Sequence, residues 1–155
     1  MKIGIADTMF ARGDMGGLAV KTIHDYDSKI KVERYTVPGV KDLPVAAKKL
    51  IEEKHCDIVL ALGMAGKMPI DQQCAHEASL GIIAVQLLTN KHVLGGFVHE
   101  NEAKNDGELR EIMRDRTMKH AMNAIELIAR PDSLTQNAGK AKRQGSDDAA
   151  YLKLF

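Results

Sequence analysis

The sequence predicts an α/β fold built around a four-stranded parallel sheet. Three observations carry that expectation. Apolar runs of strand length alternate with longer stretches of helical period along the chain. The run DIVLALG (57–63) is apolar almost without a break, as in a strand covered on both faces. Strands that alternate with helices need crossover connections, which lay neighbouring strands parallel.

The elements follow in order. Ile3 and Ile5 alternate with Lys2 and Gly4 and lead into Asp7, a short buried strand. Asp14 is a candidate N-cap for a helix with Met15, Leu18, Ala19, Ile23 and Tyr26 at near-helical spacing. Residues 32–37 read as the second strand, stopped by the breaker pair Pro38-Gly39. Asp42 is the next candidate cap, and Pro44 suits a first turn, where its missing N–H would be unpaired anyway. Leu43, Ala46, Ala47, Leu50 and Ile51 then form one apolar stripe.

After the strand at 57–63, residues 71–90 read as a helix on their length, with Ala75, Ala78, Ile82 and Val85 on one face. Residues 80–88 taken alone have the composition of a buried strand. HVLGGFVH (92–99) is the fourth strand, and 101–130 a long helix with Leu109, Ile112, Met113, Ala121, Ala124, Ile125 and Ile128 toward the core. Composition shifts at Pro131: the stretch beyond is rich in Gly, Ser, Asn and Lys and ends in YLKLF. The organisation expected is one domain over 1–130 and a C-terminal segment over 131–155, either a loose tail or an arm packed on a neighbouring subunit.

Composition excludes several classes. With 45% hydrophobic and 28% charged residues the chain is ordinary globular material. Its 22 basic and 21 acidic side chains nearly cancel, so neither nucleic acid nor a membrane surface is indicated as a partner. Cys56 and Cys74 make no disulfide framework, and a thiol among apolar neighbours reads as a small buried hydrophobe. The N-terminus turns polar too soon for a signal peptide, and no run approaches the roughly 18 apolar residues of a membrane span. A soluble, cytoplasmic protein is expected.

An open parallel sheet binds ligands beyond the carboxyl ends of its strands. Four segments are expected there: 7–14, 37–42, 63–70 and 99–102. Several familiar motifs fail in them. Gly63-Met64-Ala65-Gly66-Lys67 has short glycine spacing for a phosphate loop and no Ser or Thr after Lys67. The first strand ends in Thr8-Met9-Phe10-Ala11, not a dinucleotide turn, and His76-Glu77 lacks a second histidine at helical spacing for zinc. No metal ligand set is identified.

The segments DTMFAR (7–12), TVPGVKDLPVA (36–46), CDIVLALGMAGK (56–67), CAHEASLG (74–81), TNKH (89–92) and FVHENEAK (97–104) together resemble the archaeal riboflavin synthases. Each is weak alone; in register across the chain they are specific. The resemblance implies a flavodoxin-like three-layer αβα sandwich, similar to lumazine synthase, assembled as a homopentamer with sites at subunit interfaces. It implies dismutation of two 6,7-dimethyl-8-ribityllumazine molecules to riboflavin and 5-amino-6-(D-ribitylamino)uracil. No organic cofactor is implied; a divalent metal such as magnesium is, though the sequence shows no dedicated carboxylate cage. Two rivals stand beside it. One is lumazine synthase itself, although Gly66-Lys67-Met68-Pro69 lacks that family's Arg-Gly-x-Thr phosphate arrangement. The other is a non-catalytic flavin- or pteridine-binding module.

Such a reaction must hold two flat rings face to face while one loses a methyl proton, so positioning groups matter as much as any base. Phe10 is the candidate ring platform, with a core plug as the alternative. Thr8 and Arg12 are candidates to hydrogen-bond the pyrimidinedione or ribityl groups, unless Arg12 pairs with Asp14. Pro38, Gly39, Val40, Lys41 and Asp42 offer backbone N–H groups and polar ends to ribityl hydroxyls, while Asp42 also reads as a simple cap. Gly63, Met64, Gly66 and Lys67 let backbone approach a ring, or serve only turn chemistry. His76 and His99 are the candidates for proton transfer, with Glu77 and Glu100 to orient them or meet ring N–H groups.

Overall fold

The computed structural model describes residues 1–143 and 147–154. Strands β1 (Lys2–Thr8), β2 (Lys31–Val37), β3 (Ile58–Ala65) and β4 (Val93–His99) alternate with helices α1 (Met15–Tyr26), α2 (Leu43–Glu52), α3 (Pro69–Thr89) and α4 (Asp106–Ala129), and α5 (Pro131–Gln136) follows. Every strand pair is parallel, in the order β2-β1-β3-β4. This is the three-layer α/β sandwich expected from the sequence.

Strand alternation sorts the core into two layers. Ile3, Ile5, Leu60 and Leu62 face Met15, Ala19 and Ile23 of α1 and Leu109, Met113, Ala121 and Ile125 of α4. Ala6, Val59, Ala61 and Val93 face Leu43, Ala46 and Leu50 of α2 and Ile82 and Val85 of α3. Each fully buried Leu or Ile is worth about 1.5–3 kcal/mol. All of β3 is buried because helices cover both its faces, which accounts for its unbroken apolar run.

Asp14 caps α1 as expected, accepting the Gly17 N–H at 2.8 Å. Asp42 occupies the N-cap position of α2, but its side chain makes no capping bond. It closes a 3-10 turn (Val40–Asp42) and takes αR dihedrals, φ −91° and ψ −9°, where a capping side chain needs extended backbone. The segment with strand-like composition, 80–88, is helical within α3: Ile82 and Val85 are buried while Leu80, Ile83, Leu87 and Leu88 are exposed. α4 starts later than expected, at Asp106, because Glu100–Glu102 forms its own 3-10 turn and Asn105 supplies the cap, accepting the Glu108 N–H at 2.9 Å.

Tyr26 is exposed rather than part of the α1 stripe, with the Arg130 guanidinium 5.6 Å from its ring centre. The C-terminal segment opens with α5, and beyond it Lys142 pairs with Asp148 at 2.6 Å. Residues 144–146 and Phe155 of that segment lie outside the described residues. Among the described residues no helix is long and apolar enough to cross a membrane.

Candidate active site

The strand order places the switch point of the sheet between β1 and β3: the chain leaves β1 toward β2, then crosses back to β3 and β4. A crevice beyond the carboxyl ends at that point is where such sheets bind ligands. Thr8 ends β1 and Ala65 ends β3, with His99 paired to Ala65 at the end of β4. By alternation Thr8, Ala65 and His99 share one face, that of α2 and α3.

Two of these residues carry buried polar atoms with no partner. Thr8 is 6% exposed and its Oγ1 makes no hydrogen bond, and the Nδ1 of half-buried His99 makes none either. A buried polar atom left unpaired costs about 1–3 kcal/mol. Both sit on the same face of the carboxyl edge, with only the small Ala65 and Gly66 at the end of the strand between them.

The loop after β1 projects from this edge. Phe10 is 58% exposed, which removes the core-plug alternative. Arg12 does not pair with Asp14. Its Nη1 donates to Glu100 at 2.9 Å and its Nη2 to Asp106 at 2.8 Å, tying the loop after β1 to the loop after β4. Glu100, then Asp106, raises the pKa of this guanidinium. Asp14 is taken instead by Arg34 of β2, whose Nη2 donates to Asp14 at 2.5 Å and to Asp7 at 2.6 Å. The Gly17 N–H first, and Arg34 after it, hold the Asp14 carboxyl below the usual range.

The loop after β2 meets α3. Lys41 Nζ donates to Glu77 at 2.6 Å and Gln73 to the other Glu77 oxygen at 3.0 Å, so Glu77 holds these groups and makes no hydrogen bond with His76. Lys41 holds the Glu77 carboxyl below its usual range, and Glu77 raises the Lys41 ammonium in turn. His76 is exposed on α3. Pro38 and Gly39 precede the turn, and a Cβ at Gly39 would meet nothing within 4 Å.

The expected loop at 63–70 starts later. β3 runs on through Ala65 because Gly63, Met64 and Ala65 keep pairing with Phe97, Val98 and His99. Met64 is therefore a core side chain, 1% exposed, and Gly63 is small because a Cβ there would lie 2.9 Å from Val40 Cγ1. Gly66 serves the turn: its carbonyl accepts from Gln72 at 2.7 Å, and a Cβ would press on the Asp71 carboxyl that receives the Met68 N–H at 3.0 Å. Lys67 is exposed beside it.

Sequence reasoning missed two ion pairs behind the site. Asp7, 4% exposed, accepts from Arg34 and, at 2.7 Å, from Thr36 Oγ1. The signal was its place on the same strand face as Ile3 and Ile5. Arg116 of α4 grips Glu102 through both oxygens at 2.7 and 2.6 Å and donates to the Phe97 carbonyl at 2.6 Å. Among the described residues no group of three His, Cys, Asp or Glu is placed to hold a metal ion, so the residues present do not make a magnesium cage.

Comparison with known proteins decides the family. The profile of the 6,7-dimethyl-8-ribityllumazine synthase family matches residues 1–132. The chain belongs to this family. Within it, the full-length similarity is to archaeal riboflavin synthases, as the six sequence segments indicated. The riboflavin synthase of Methanothermobacter thermautotrophicus is 51% identical over 152 residues, covering 98% of this chain and 99% of that protein. That of Archaeoglobus fulgidus is 47% identical over the same shares. The lumazine synthase of Thermococcus onnurineus is 29% identical over 99 residues, 63% of this chain and 65% of its own. Full-length similarity thus runs to the riboflavin synthase members.

Proposed function

We propose that this chain is a riboflavin synthase, a transferase that moves a four-carbon unit between two 6,7-dimethyl-8-ribityllumazine molecules. One molecule gives up its C6 and C7 with their methyl groups and leaves as 5-amino-6-(D-ribitylamino)uracil; the other becomes riboflavin. The atoms of the two reactants equal those of the two products, so no oxidant or reductant enters.

The single observation that carries this reading is the full-length similarity to archaeal riboflavin synthases; the buried, unpartnered Thr8 Oγ1 and His99 Nδ1 on one face of the switch-point edge support a site there. Beside them Phe10 stands out as a ring platform, and the loop at 38–42 brings Lys41 and backbone N–H groups toward the ribityl hydroxyls. Arg12 acts by holding the Glu100 carboxylate in place. His99 is the proton-transfer group nearest this edge, and His76 the alternative on α3.

The reaction needs two rings, and one copy of the chain leaves much of the edge open. Met9, Phe10, Met68 and Ile70 are exposed around it, and α3 turns Leu80, Ile83 and Leu87 outward at spacings of three and four. Apolar surface so grouped favours association. We assign the chain to a cytoplasmic homopentamer with each site completed by a neighbouring copy.

The test is to incubate the protein with 6,7-dimethyl-8-ribityllumazine alone and follow riboflavin absorbance. One riboflavin for every two lumazines consumed supports the assignment; no turnover removes it. A lumazine synthase or a passive flavin binder forms no riboflavin from this substrate by itself. His76→Gln and His99→Gln, assayed separately, divide the proton-transfer role: a loss of about 100-fold or more marks the base, and equal mild losses assign the catalysis to positioning.

A further inference from the structure

Resting on the assignment of Phe10 as a ring platform, we propose that Arg34 is a positioning residue that clasps both ends of the Phe10 loop. The loop leaves β1 after Thr8, one residue beyond Asp7, and enters α1 at its N-cap Asp14, and one guanidinium holds both carboxylates. Arg34 Nη2 lies 2.6 Å from Asp7 Oδ2 and 2.5 Å from Asp14 Oδ1, with Nε 3.3 and 3.2 Å from the two Asp7 oxygens. Nε and Nη2 together pair with Asp7, the two-nitrogen geometry of an arginine fork, and the same Nη2 reaches on to Asp14.

The neighbouring sequence is built around the clasp. Thr36 Oγ1 adds a donor to Asp7 at 2.7 Å, fixing the orientation of that carboxylate. Gly16 lies in the first turn of α1, beneath the pair: a Cβ there would stand 2.6 Å from Arg34 Nε and 2.7 Å from Asp7 Cγ. Gly17 gives Asp14 the same room, a Cβ lying 2.8 Å from Asp14 Cγ. The tandem glycines weaken the first turn of a helix, and the clasp needs the space they leave.

Midway along the loop, Arg12 ties to Glu100 and Asp106, and the Met9 N–H bonds the Val37 carbonyl at 2.8 Å. Phe10 lies between these anchors with an exposed ring. A segment held at its ends and middle loses little conformational freedom when a ring stacks on it, so affinity and orientation are gained before the substrate arrives. Arg34 touches no substrate in this scheme; it acts through Phe10.

A double-mutant cycle tests this. Asp14→Asn keeps the α1 cap, since Asn is an equally good N-cap, while weakening the bond to Arg34; Arg34→Lys keeps the charge and loses the fork. Each is combined with Phe10→Ala, and kcat/KM for dimethylribityllumazine and the Kd of riboflavin by fluorescence quenching are measured. Phe10→Ala alone reports on the platform: no loss in either measurement overturns that assignment, and the clasp with it. With Phe10 present, Asp14→Asn should weaken both measurements about fivefold and Arg34→Lys about tenfold. With Ala at position 10 each effect should shrink below about twofold. Additive losses, the same in both backgrounds, overturn the proposal and assign Arg34 a purely structural role while leaving the platform intact. Should Arg34→Lys not fold, the Asp14→Asn cycle decides alone.

Discussion

Glu102 accepts the backbone N–H of His99 at 2.8 Å while both of its oxygens hold Arg116. The last residue of β4 is thereby tied to α4 through one carboxylate, and Arg116 adds a bond to the Phe97 carbonyl one pair back along the strand. His99 thus enters the site on a backbone clamped from outside.

Glu102→Ala leaves the Arg116 guanidinium, 14% exposed, without this partner and frees the end of β4. Removing one member of a buried pair costs about 3–5 kcal/mol, and partial exposure of Glu102 brings the expected loss to about 2 kcal/mol. Thermal melting reads it, at roughly 2–4 °C per kcal/mol for a domain of this size. Burial pushes the Glu102 carboxyl up, but the Arg116 and His99 bonds outweigh it and hold the group below its usual range. A depressed carboxylate stabilises the fold above its unfolded value, about 4.3, and that contribution fades as pH falls through the folded value. The wild type should therefore lose more stability than Glu102→Gln between pH 5 and the acid limit; equal slopes would contradict the assignment.

Gly16→Ala should destabilise the protein by about 2–3 kcal/mol, since its Cβ would run into the Asp7–Arg34 pair. Gly39→Ala provides the control, with open space around it and extended backbone at φ −148°. Its effect on the urea midpoint should stay within the roughly 0.5 kcal/mol of an ordinary surface change. Similar midpoints for the two variants would refute the crowding seen at Gly16.

His120, half-buried on α4, donates from Nδ1 to the Arg116 carbonyl at 2.9 Å. Burial, the largest influence, holds its pKa below the ordinary value of about 6.5. The folded protein therefore resists protonation that the unfolded chain accepts. Stability contributed by the neutral ring is complete above about pH 6.5 and is lost as pH falls through the lower folded value. Urea midpoints at pH 7.5 and 5.5 should fall further for the wild type than for His120→Gln.

Cys56 is fully buried, and burial pushes its thiol up to about 11. Only the thiolate reacts with alkylating reagents. Iodoacetamide at pH 8 should leave Cys56 unmodified in the native protein and modify it at the rate of unfolding. Labelling in the native state at the rate of a free thiol would be incompatible with this packing.

What the sequence determined by itself was everything set by local period and local chemistry. Ile3 and Ile5, the stripe from Leu43 to Ile51 and the unbroken apolar run at 57–63 announce strand, helix and doubly covered strand without reference to partners. Asp14 as a cap and Pro38-Gly39 as a stop are equally local. The six loop segments carried the family, because the order of loops along the chain is itself sequence. Tertiary structure decided whatever depended on register and reach. β3 extends through Met64 and Ala65 because β4 is there to pair with them. Arg34, not Arg12, takes Asp14 because parallel pairing sets β2 beside β1, with Thr36 opposite Asp7, and a long side chain then spans to α1. Phe10 emerges as exposed, and Thr8 and His99 as unpartnered, only when the sheet assembles. Hydrogen bonds between residues far apart in the chain leave no period in the sequence.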